Sequence, residues 1–282
     1  MTLRVFAPAK LNLFLHVLGR RADGYHLLQS AFALLDFGDT LDLTFRADGH
    51  IQRTSEIAGV AVDDDLVVRA ARLLQRASST HHGVDIAVEK RIPMGGGLGG
   101  GSSDAASTLL GLNQLWSLNI PRAELQAMAL SLGADVPFFV FGQNAWAEGV
   151  GEALQSLILP AWWYVVLTPT TIVPTPFVFS HPELTRNTNP LKIADFSASR
   201  LADLKNDLQA VVLKAFPEVA SSFQALVAVS QKSVFGARMT GSGACVFAAF
   251  AHERDAREAL QGLPPEHQGF VAQGLLKHPL GD

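Results

Sequence analysis

Residues 93–107 of the chain, PMGGGLGGGSSDAAS, carry the strongest structural signal in the sequence. Six of the seven positions 95–101 are glycine, which lets the backbone adopt a positive φ and approach a ligand closely. The two serines and the aspartate that follow are good helix N-caps, and the alanines after them favour a helix. The pattern predicts a helix that begins at Ser102, Ser103 or Asp104, preceded by a loop that binds phosphate.

Two common phosphate-binding loops do not fit this stretch. A Walker A loop has Lys-Ser or Lys-Thr after its glycines, and neither pair follows here. A Rossmann loop is followed about 20 residues later by an acidic residue at the end of a second strand, whereas residues 112–116 are predicted to be helical. A flexible turn without a ligand is disfavoured, because ordering six glycines costs much chain entropy.

Strands and helices alternate at short intervals along the rest of the chain. Period-two alternation predicts a strand at residues 10–18, and Asp135, before Val136 and Pro137, is predicted to open a short helix. The other predicted strands lie near residues 41–45, 86–88, 145–148, 162–168, 234–239, 246–250 and 269–273, and the other helices near 64–77, 121–132, 201–215, 217–230 and 255–260. This order predicts an α+β fold with antiparallel pairing. A length of 282 residues suffices for two domains, which we place at 1–157 and 158–282.

The composition excludes several functional classes. Hydrophobic residues make up 48% and charged residues 17% of the chain, which is not the composition of a disordered protein. A net charge of -4 argues against a nucleic-acid partner bound through a basic surface. The nine histidines do not cluster at metal-ligand spacing, so no protein metal site is predicted.

The N-terminus and the cysteine content bear on the compartment. Cys245 is the only cysteine, so no intrachain disulfide can form. The first residues, MTLRVFAPAK, lack the apolar segment of a signal peptide, and no stretch approaches the roughly 18 consecutive apolar residues of a membrane span. We therefore expect a cytoplasmic protein without a membrane partner.

The glycine-rich stretch resembles the ATP loop of the GHMP kinases, named for galactokinase, homoserine kinase, mevalonate kinase and phosphomevalonate kinase. Two further stretches lie where that family has its other motifs: PAKLNLFLHVLGRRADGYHLLQS at residues 8–30 and MTGSGACVFAAF at residues 239–250. Three motifs in the family's order are more specific than any one of them. The resemblance implies a two-domain fold, with an N-terminal domain like ribosomal S5 domain 2 and a ferredoxin-like C-terminal domain.

Six segments together resemble one branch of this family, whose members phosphorylate a cytidine diphosphate sugar alcohol. The segments are PAKLNLFL (8–15), RADGYH (21–26), GGGLGGGSS (95–103), GADVPFF (133–139), AEGVGE (147–152) and RMTGSGACVF (238–247). This resemblance implies phosphorylation of the substrate's 2-hydroxyl, with ATP as co-substrate and Mg²⁺, in isoprenoid biosynthesis. It implies no obligate protein partner.

The resemblance assigns the catalytic roles to two residues. Asp135 is expected to act as the base that takes the hydroxyl proton, and Lys10 to orient that carboxylate and acidify the hydroxyl. The residues by themselves leave alternatives open. Asp135 could equally be a helix N-cap, and a single lysine on a strand is often a solvated edge residue.

The same resemblance places two sets of binding residues. The ATP-binding set comprises Lys90, Pro93, Met94, Gly95, Gly96, Gly97, Leu98, Gly99, Gly100, Gly101, Ser102 and Ser103, where the two serines could instead be helix caps. The substrate set comprises Asn12, Tyr25, His26, Thr175 and Phe179, since aromatic rings stack on a nucleobase and a histidine can read its edge. Phe179 could instead be ordinary core. Asp104 stands where relatives often have asparagine, and its side chain is expected to turn away from bound phosphates.

Two alternative functions remain open from the sequence. Another GHMP kinase, such as a homoserine kinase, would keep the same loop. A non-catalytic nucleotide-binding protein would keep the loop without turnover, and the presence of both Lys10 and Asp135 argues against it.

Overall fold

Two long strands form the framework of the computed structural model, which describes residues 1–280 of the chain. β1 (Thr2–Arg20) and β2 (His26–Arg46) pair as an antiparallel hairpin, with register shifts near Pro8 and between Asn12 and Leu15. The strand predicted at residues 10–18 is confirmed as part of β1. Every residue from 7 to 17 is buried, because other elements cover both faces of the strand. The period-two alternation therefore does not separate buried from exposed positions here.

The remaining elements confirm the predicted α+β class. The strands are β3 (Ile51–Arg53), β4 (Gly83–Glu89), β5 (Ala145–Glu148), β6 (Ala153–Ser156), β7 (Trp163–Leu167), β8 (Arg238–Met239), β9 (Val246–Phe250) and β10 (Gly269–Leu275). The α-helices are α1 (Leu66–Ser78), α2 (Gly100–Leu115), α3 (Arg122–Ala129), α4 (Val136–Phe141), α5 (Thr175–Ser180), α6 (Gln209–Ala215), α7 (Pro217–Val229) and α8 (Glu253–Gln261). Short 3₁₀ helices lie at Ile193–Asp195 and Ala198–Asp203.

The strands form one sheet in which the last strand joins the two halves of the chain. Its main path runs β3-β4-β2-β10-β7-β9-β8, and all its pairs are antiparallel except β3 with β4. Strand β10 pairs with β2 through Gly274 and Leu275 and with β7 over 269–273. Elements from both sides of the predicted boundary thus share a sheet, and the division at 157/158 stays a prediction.

Two predicted elements in the C-terminal half are wrong in extent. The helix predicted at 201–215 is broken, because the Asn206 side chain donates to the carbonyls of Met239 (2.9 Å) and Gly241 (2.8 Å) instead of lying on a helix. The strand predicted at 234–239 is reduced to β8, since Gly236 interrupts it with a φ of +76°. Long-range hydrogen bonds override local propensity in both places.

Apolar side chains pack on both faces of this sheet. One cluster lies beneath α1, α2, α3 and α4 and includes Leu41 and Phe138, and a second contains Phe14, Trp146 and Phe247. A third lies between the sheet and α6, α7 and α8. Within residues 1–280, no single helix is long and apolar enough to cross a membrane, although the bent pair α6 and α7, at 116°, passes that test together.

The buried side chain of Asn144 links β2 to β10 and generates a stability prediction. It accepts from the backbone N–H of Leu34 (2.8 Å) and donates to the carbonyl of Leu275 (2.9 Å). Asn144→Ala leaves both groups unpaired in the interior, so we expect a loss of about 2–4 kcal/mol in the free energy of unfolding. Urea denaturation measures it, with the exposed Asn189→Ala as the matched control. Equal midpoints for the two variants would contradict this role.

Candidate active site

The glycine-rich stretch folds into a loop that ends directly in α2. Gly95, Gly97 and Gly99 have φ values of +71°, +76° and +75°, a region that favours glycine. The helix begins at Gly100, with Gly99 as its N-cap, so the predicted start at 102–104 is too late. Glycine, which has no steric penalty in the left-handed region, replaces a serine or aspartate cap.

The N-terminal motif and the C-terminal motif both hold this loop in place. The backbone N–H of Lys10 donates to the carbonyl of Leu98 (2.9 Å), and that of Cys245 donates to the carbonyl of Gly96 (3.1 Å). A Cβ added at Gly97 would lie 2.4 Å from the carbonyl oxygen of Thr240. The loop is therefore held between β1 and the turn at residues 240–245.

A cleft of about 520 Å³ opens in front of the loop, and a cavity of about 400 Å³ adjoins it. The predicted residues that line the cleft are Lys10, Asn12, Lys90, Pro93, Met94, Gly95, Gly96, Gly97, Leu98, Gly99, Gly100, Gly101, Ser102, Asp135, Thr175 and Phe179. Tyr25 and His26 line the adjoining cavity, which shares Thr175 and Phe179 with the cleft. Ser103 is the exception, because it is fully buried and its hydroxyl donates to the carbonyl of Pro8 (2.6 Å). Ser103 is thus the one residue of the predicted ATP-binding set that does not line the cleft, and its binding role stays a prediction.

Lys10 and Asp135 form an ion pair at the floor of the cleft. The Lys10 ammonium lies 3.2 Å from Asp135 Oδ2, donates to Asn12 Oδ1 at 2.6 Å, and lies 4.8 Å from the centre of the Phe32 ring. The Lys10 side chain is only 4% exposed, unlike a solvated edge lysine, whereas the Asp135 carboxylate is 36% exposed. Asp135 does precede α4, but its side chain makes no capping hydrogen bond. The carboxylate thus faces the cleft with an oriented cation beside it.

The neighbouring polar side chains fix the position of Lys10. Asn12 donates through Nδ2 to the Ser30 hydroxyl (2.9 Å), which donates in turn to the carbonyl of Phe14 (2.6 Å). Because these hydrogen bonds use the Asn12 amide nitrogen as a donor, Asn12 Oδ1 is left to accept from the Lys10 ammonium. Sequence reasoning missed Ser30, because only the pairing of β1 with β2 brings it beside Asn12.

A second buried charge cluster supports the other side of the loop. Lys90 Nζ donates to Asp104 Oδ2 (2.7 Å) and to Asp39, whose other oxygen accepts from the backbone N–H of Ile92 (2.8 Å). Burial raises the pKa of Asp104 to about 7, although the Lys90 ammonium opposes that shift. Burial acts to lower the pKa of Lys90, but the two carboxylates outweigh it and raise that pKa. Asp104 is buried and turned away from the cleft, as expected, and Asp39 was missed because it lies far from the loop in sequence.

The adjoining cavity has an aromatic wall. The rings of His26 and Phe179 lie 4.9 Å apart at an angle of 32°, and Tyr25 at the rim is 64% exposed. Thr175 is hydrogen-bonded to Ser242 at 2.8 Å, which ties the start of α5 to the glycine turn of the C-terminal motif. A flat aromatic ligand fits such a wall.

The comparisons with known proteins place both halves of the chain in one superfamily. The model described as "GHMP kinases N terminal domain" matches residues 65–143, and the model described as "GHMP kinases C terminal" matches residues 191–267. A 4-diphosphocytidyl-2-C-methyl-D-erythritol kinase from Thiobacillus denitrificans is 61% identical over 277 residues, covering 98% of this chain and 96% of the relative. One from Janthinobacterium is 56% identical, covering 97% and 95%.

Solved structures give the same picture at the level of the fold. A crystal structure of 4-(cytidine 5'-diphospho)-2C-methyl-D-erythritol kinase superposes with a TM-score of 0.83 at 35% identity, covering 96% of this chain and 99% of that one. The homoserine kinase from Cytophaga hutchinsonii superposes with a TM-score of 0.66 at 16% identity, covering 98% and 95%. The second likeness concerns the fold alone.

Two glycines with the same φ test how tightly the loop is held. Gly97 and Gly236 both have a φ of +76°, but nothing lies within 4 Å of a Cβ added at Gly236. Gly236→Ala should therefore cost about 1–2 kcal/mol of left-handed strain. Gly97→Ala adds the contact with Thr240, so we expect a further loss of about 1–3 kcal/mol. Thermal unfolding of both variants measures the difference, and equal losses would show that the turn at 240–245 does not confine the loop.

Proposed function

The chain belongs to the GHMP kinases and, within them, to the 4-diphosphocytidyl-2-C-methyl-D-erythritol kinase family, and we propose how its site transfers a phosphoryl group from ATP to the substrate. The γ-phosphoryl group of ATP passes to the 2-hydroxyl of 4-diphosphocytidyl-2-C-methyl-D-erythritol, giving the 2-phosphate and ADP. The reaction belongs to the methylerythritol phosphate route to isopentenyl diphosphate. The observation that carries the proposal is the 3.2 Å pair of Lys10 and Asp135 in the cleft in front of the glycine loop. Only likeness of fold supports the homoserine-kinase alternative.

Asp135 acts as the general base in this proposal. The substrate oxygen forms a bond to the γ-phosphorus, its proton goes to the Asp135 carboxylate, and the bond to the bridging oxygen of ADP breaks. The buried Lys10 ammonium holds the carboxylate in place and favours the developing alkoxide electrostatically. Because Asn12 and Phe32 fix the ammonium from the other sides, it needs little reorganisation during the reaction.

The glycine loop and the first turn of α2 bind the phosphates of ATP. Backbone N–H groups at a helix N-terminus carry partial positive charge, and the absence of Cβ atoms lets phosphate oxygens approach them. Lys90, which lines the cleft, adds an ammonium group that Asp39 and Asp104 hold in place and whose charge they partly offset. Catalysis of phosphoryl transfer consists mostly of positioning and electrostatic stabilisation, and this alignment of the nucleotide supplies the positioning.

Mg²⁺ is the implied metal, and the cleft fits a weakly ligated ion. Within residues 1–280 no group of three or more His, Cys, Asp or Glu side chains could hold a metal ion. Mg²⁺ commonly binds through nucleotide phosphates and water with only one or two protein oxygens, so a sparse set of protein ligands is compatible with it. The Ser102 hydroxyl in the cleft would supply one such oxygen. When bound, the ion neutralises charge on the phosphates.

The cytidine end of the substrate occupies the adjoining cavity. Tyr25 and Phe179 offer rings for stacking, and His26 offers its edge to the base. Residues 1–157 then provide the loop and the catalytic pair, and residues 158–282 provide the glycine turn, Thr175 and Phe179. A cytoplasmic location suits an enzyme that consumes ATP.

The catalytic pair is tested by removing each charge with little change of shape. Asp135→Asn should lower kcat by about 10²–10⁴-fold, because the base is lost, and Lys10→Met should impair turnover severely. ATP affinity by calorimetry should stay close to that of the wild type, since both groups act on the acceptor. Asp63→Asn, at an exposed carboxylate, is the control. Near-normal turnover of Asp135→Asn would exclude it as the base, and an unfolded variant would indicate a structural role.

The substrate assignment predicts discrimination between nucleobases. Cytosine has an acceptor at N3 and a donor at N4, whereas uracil reverses both. Each mismatched buried group costs about 1–3 kcal/mol, so the cytidine compound should have roughly 30-fold to over 10³-fold higher kcat/KM than its uridine counterpart. Tyr25→Ala should lower kcat/KM for both compounds alike, because stacking hardly distinguishes the two bases. Changes at His26 should instead alter the ratio of the two kcat/KM values. Equal kcat/KM values would refute base reading and leave only the broader kinase assignment.

A further inference from the structure

Arg186 has no part in the roles described above, yet it contacts two of the proposed substrate residues. Its Nε donates to Nε2 of His26 at 3.1 Å. One terminal nitrogen donates to the carbonyls of Phe179 and His181, both at 2.9 Å, and the other donates to the carbonyl of Leu184 at 3.2 Å. One guanidinium therefore ties the first residue of β2 to the end of α5, where the two rings of the cavity wall meet.

The contact with Arg186 decides which nitrogen of His26 carries the proton. A guanidinium has only donors and stays protonated, so the Nε2 that faces it must accept. A neutral ring then has its hydrogen on Nδ1. Burial, the charge of Arg186 and, to a smaller extent, that of Arg20 lower the pKa of His26 below its ordinary value of 6.5, which favours the neutral ring at pH 7. Within residues 1–280, His26 Nδ1 has no hydrogen-bond partner, and the ring lines the cavity.

We propose that Arg186 is a specificity-positioning residue that fixes His26 as the Nδ1–H tautomer and offers that N–H to the acceptor edge of cytosine. This inference rests on the proposed function. An Nδ1–H donor matches the N3 acceptor of cytosine and opposes the N3–H of uracil, whereas the other tautomer would match uracil at that atom. By holding the carbonyl of Phe179, Arg186 also keeps the ring of that residue against His26.

The tautomer is measurable without any substrate. Two-bond ¹H–¹⁵N spectra of the full-length protein, labelled at histidine, distinguish a protonated from an unprotonated ring nitrogen, and His26→Gln assigns the signal. We expect Nδ1–H in the wild type at pH 7. Arg186→Met removes the donor and should allow Nε2–H, whereas Arg186→Lys retains a cationic donor and should preserve Nδ1–H. A wild-type His26 that is charged or protonated on Nε2 would overturn the proposal.

The kinetic test separates specificity from mere support of the loop. Arg186→Met should reduce the ratio of kcat/KM for the cytidine and uridine compounds by about 5-fold to over 100-fold, mainly through KM for the cytidine compound. Arg186→Lys should keep more of this ratio, and Arg254→Met, whose arginine side chain is 87% exposed on α8, should keep all of it. If Arg186 only supported the loop, its loss would lower kcat/KM for both compounds equally. The ratio of the two values would then stay unchanged, which would refute the proposal.

The two readouts also separate this inference from the proposed function. If the wild type phosphorylates neither compound, the proposed function fails and the base-reading claim fails with it, while the spectrum still decides whether Arg186 sets the tautomer. If Arg186→Met does not fold, the wild-type spectrum and the Arg186→Lys variant decide both claims.

Discussion

The whole site depends on a glycine loop that is held by backbone hydrogen bonds from two distant parts of the chain. The N–H of Lys10 fixes the carbonyl of Leu98 from β1, and the N–H of Cys245 fixes that of Gly96 from the C-terminal turn. Six glycines give the loop a large conformational entropy in the unfolded chain. The loop therefore binds phosphate tightly only if the fold has already ordered it. The clamp also explains the family's three motifs, because one is the loop and the other two hold it.

Buried charges flank this loop on both sides and are arranged in two different ways. The Lys10 and Asp135 pair has its carboxylate partly open to the cleft, as a base requires. The cluster of Lys90, Asp39 and Asp104 is closed, since both carboxylates are buried. Isolated buried charges are costly, and pairing with hydrogen bonds from the backbone offsets much of that cost. The open pair suits proton transfer and the closed cluster suits the positioning of a cation.

Local sequence patterns predicted most of the fold, and the errors share a physical cause. The strand at 10–18, the helix that Asp135 precedes and the antiparallel α+β class are confirmed. The helix predicted at 201–215 is shortened to α6, because the Asn206 side chain bonds to carbonyls more than thirty positions away. The start of α2 was placed too late because glycine itself serves as the cap. Propensity describes neighbours in sequence, so it misses a side chain whose partner lies in another element.

The sequence by itself determined the chemistry available to this protein: a loop of glycines before a helix, a lysine and an aspartate in two motifs, and aromatic residues in a third region. These are properties of residue type and spacing, which need no knowledge of the fold. Only the tertiary structure decided which groups meet: Lys10 with Asp135, Ser30 with Asn12, Asp39 with Lys90, and Arg186 with His26. Such pairs join residues far apart in the chain, and strand register and helix packing, rather than local pattern, set the distances between them.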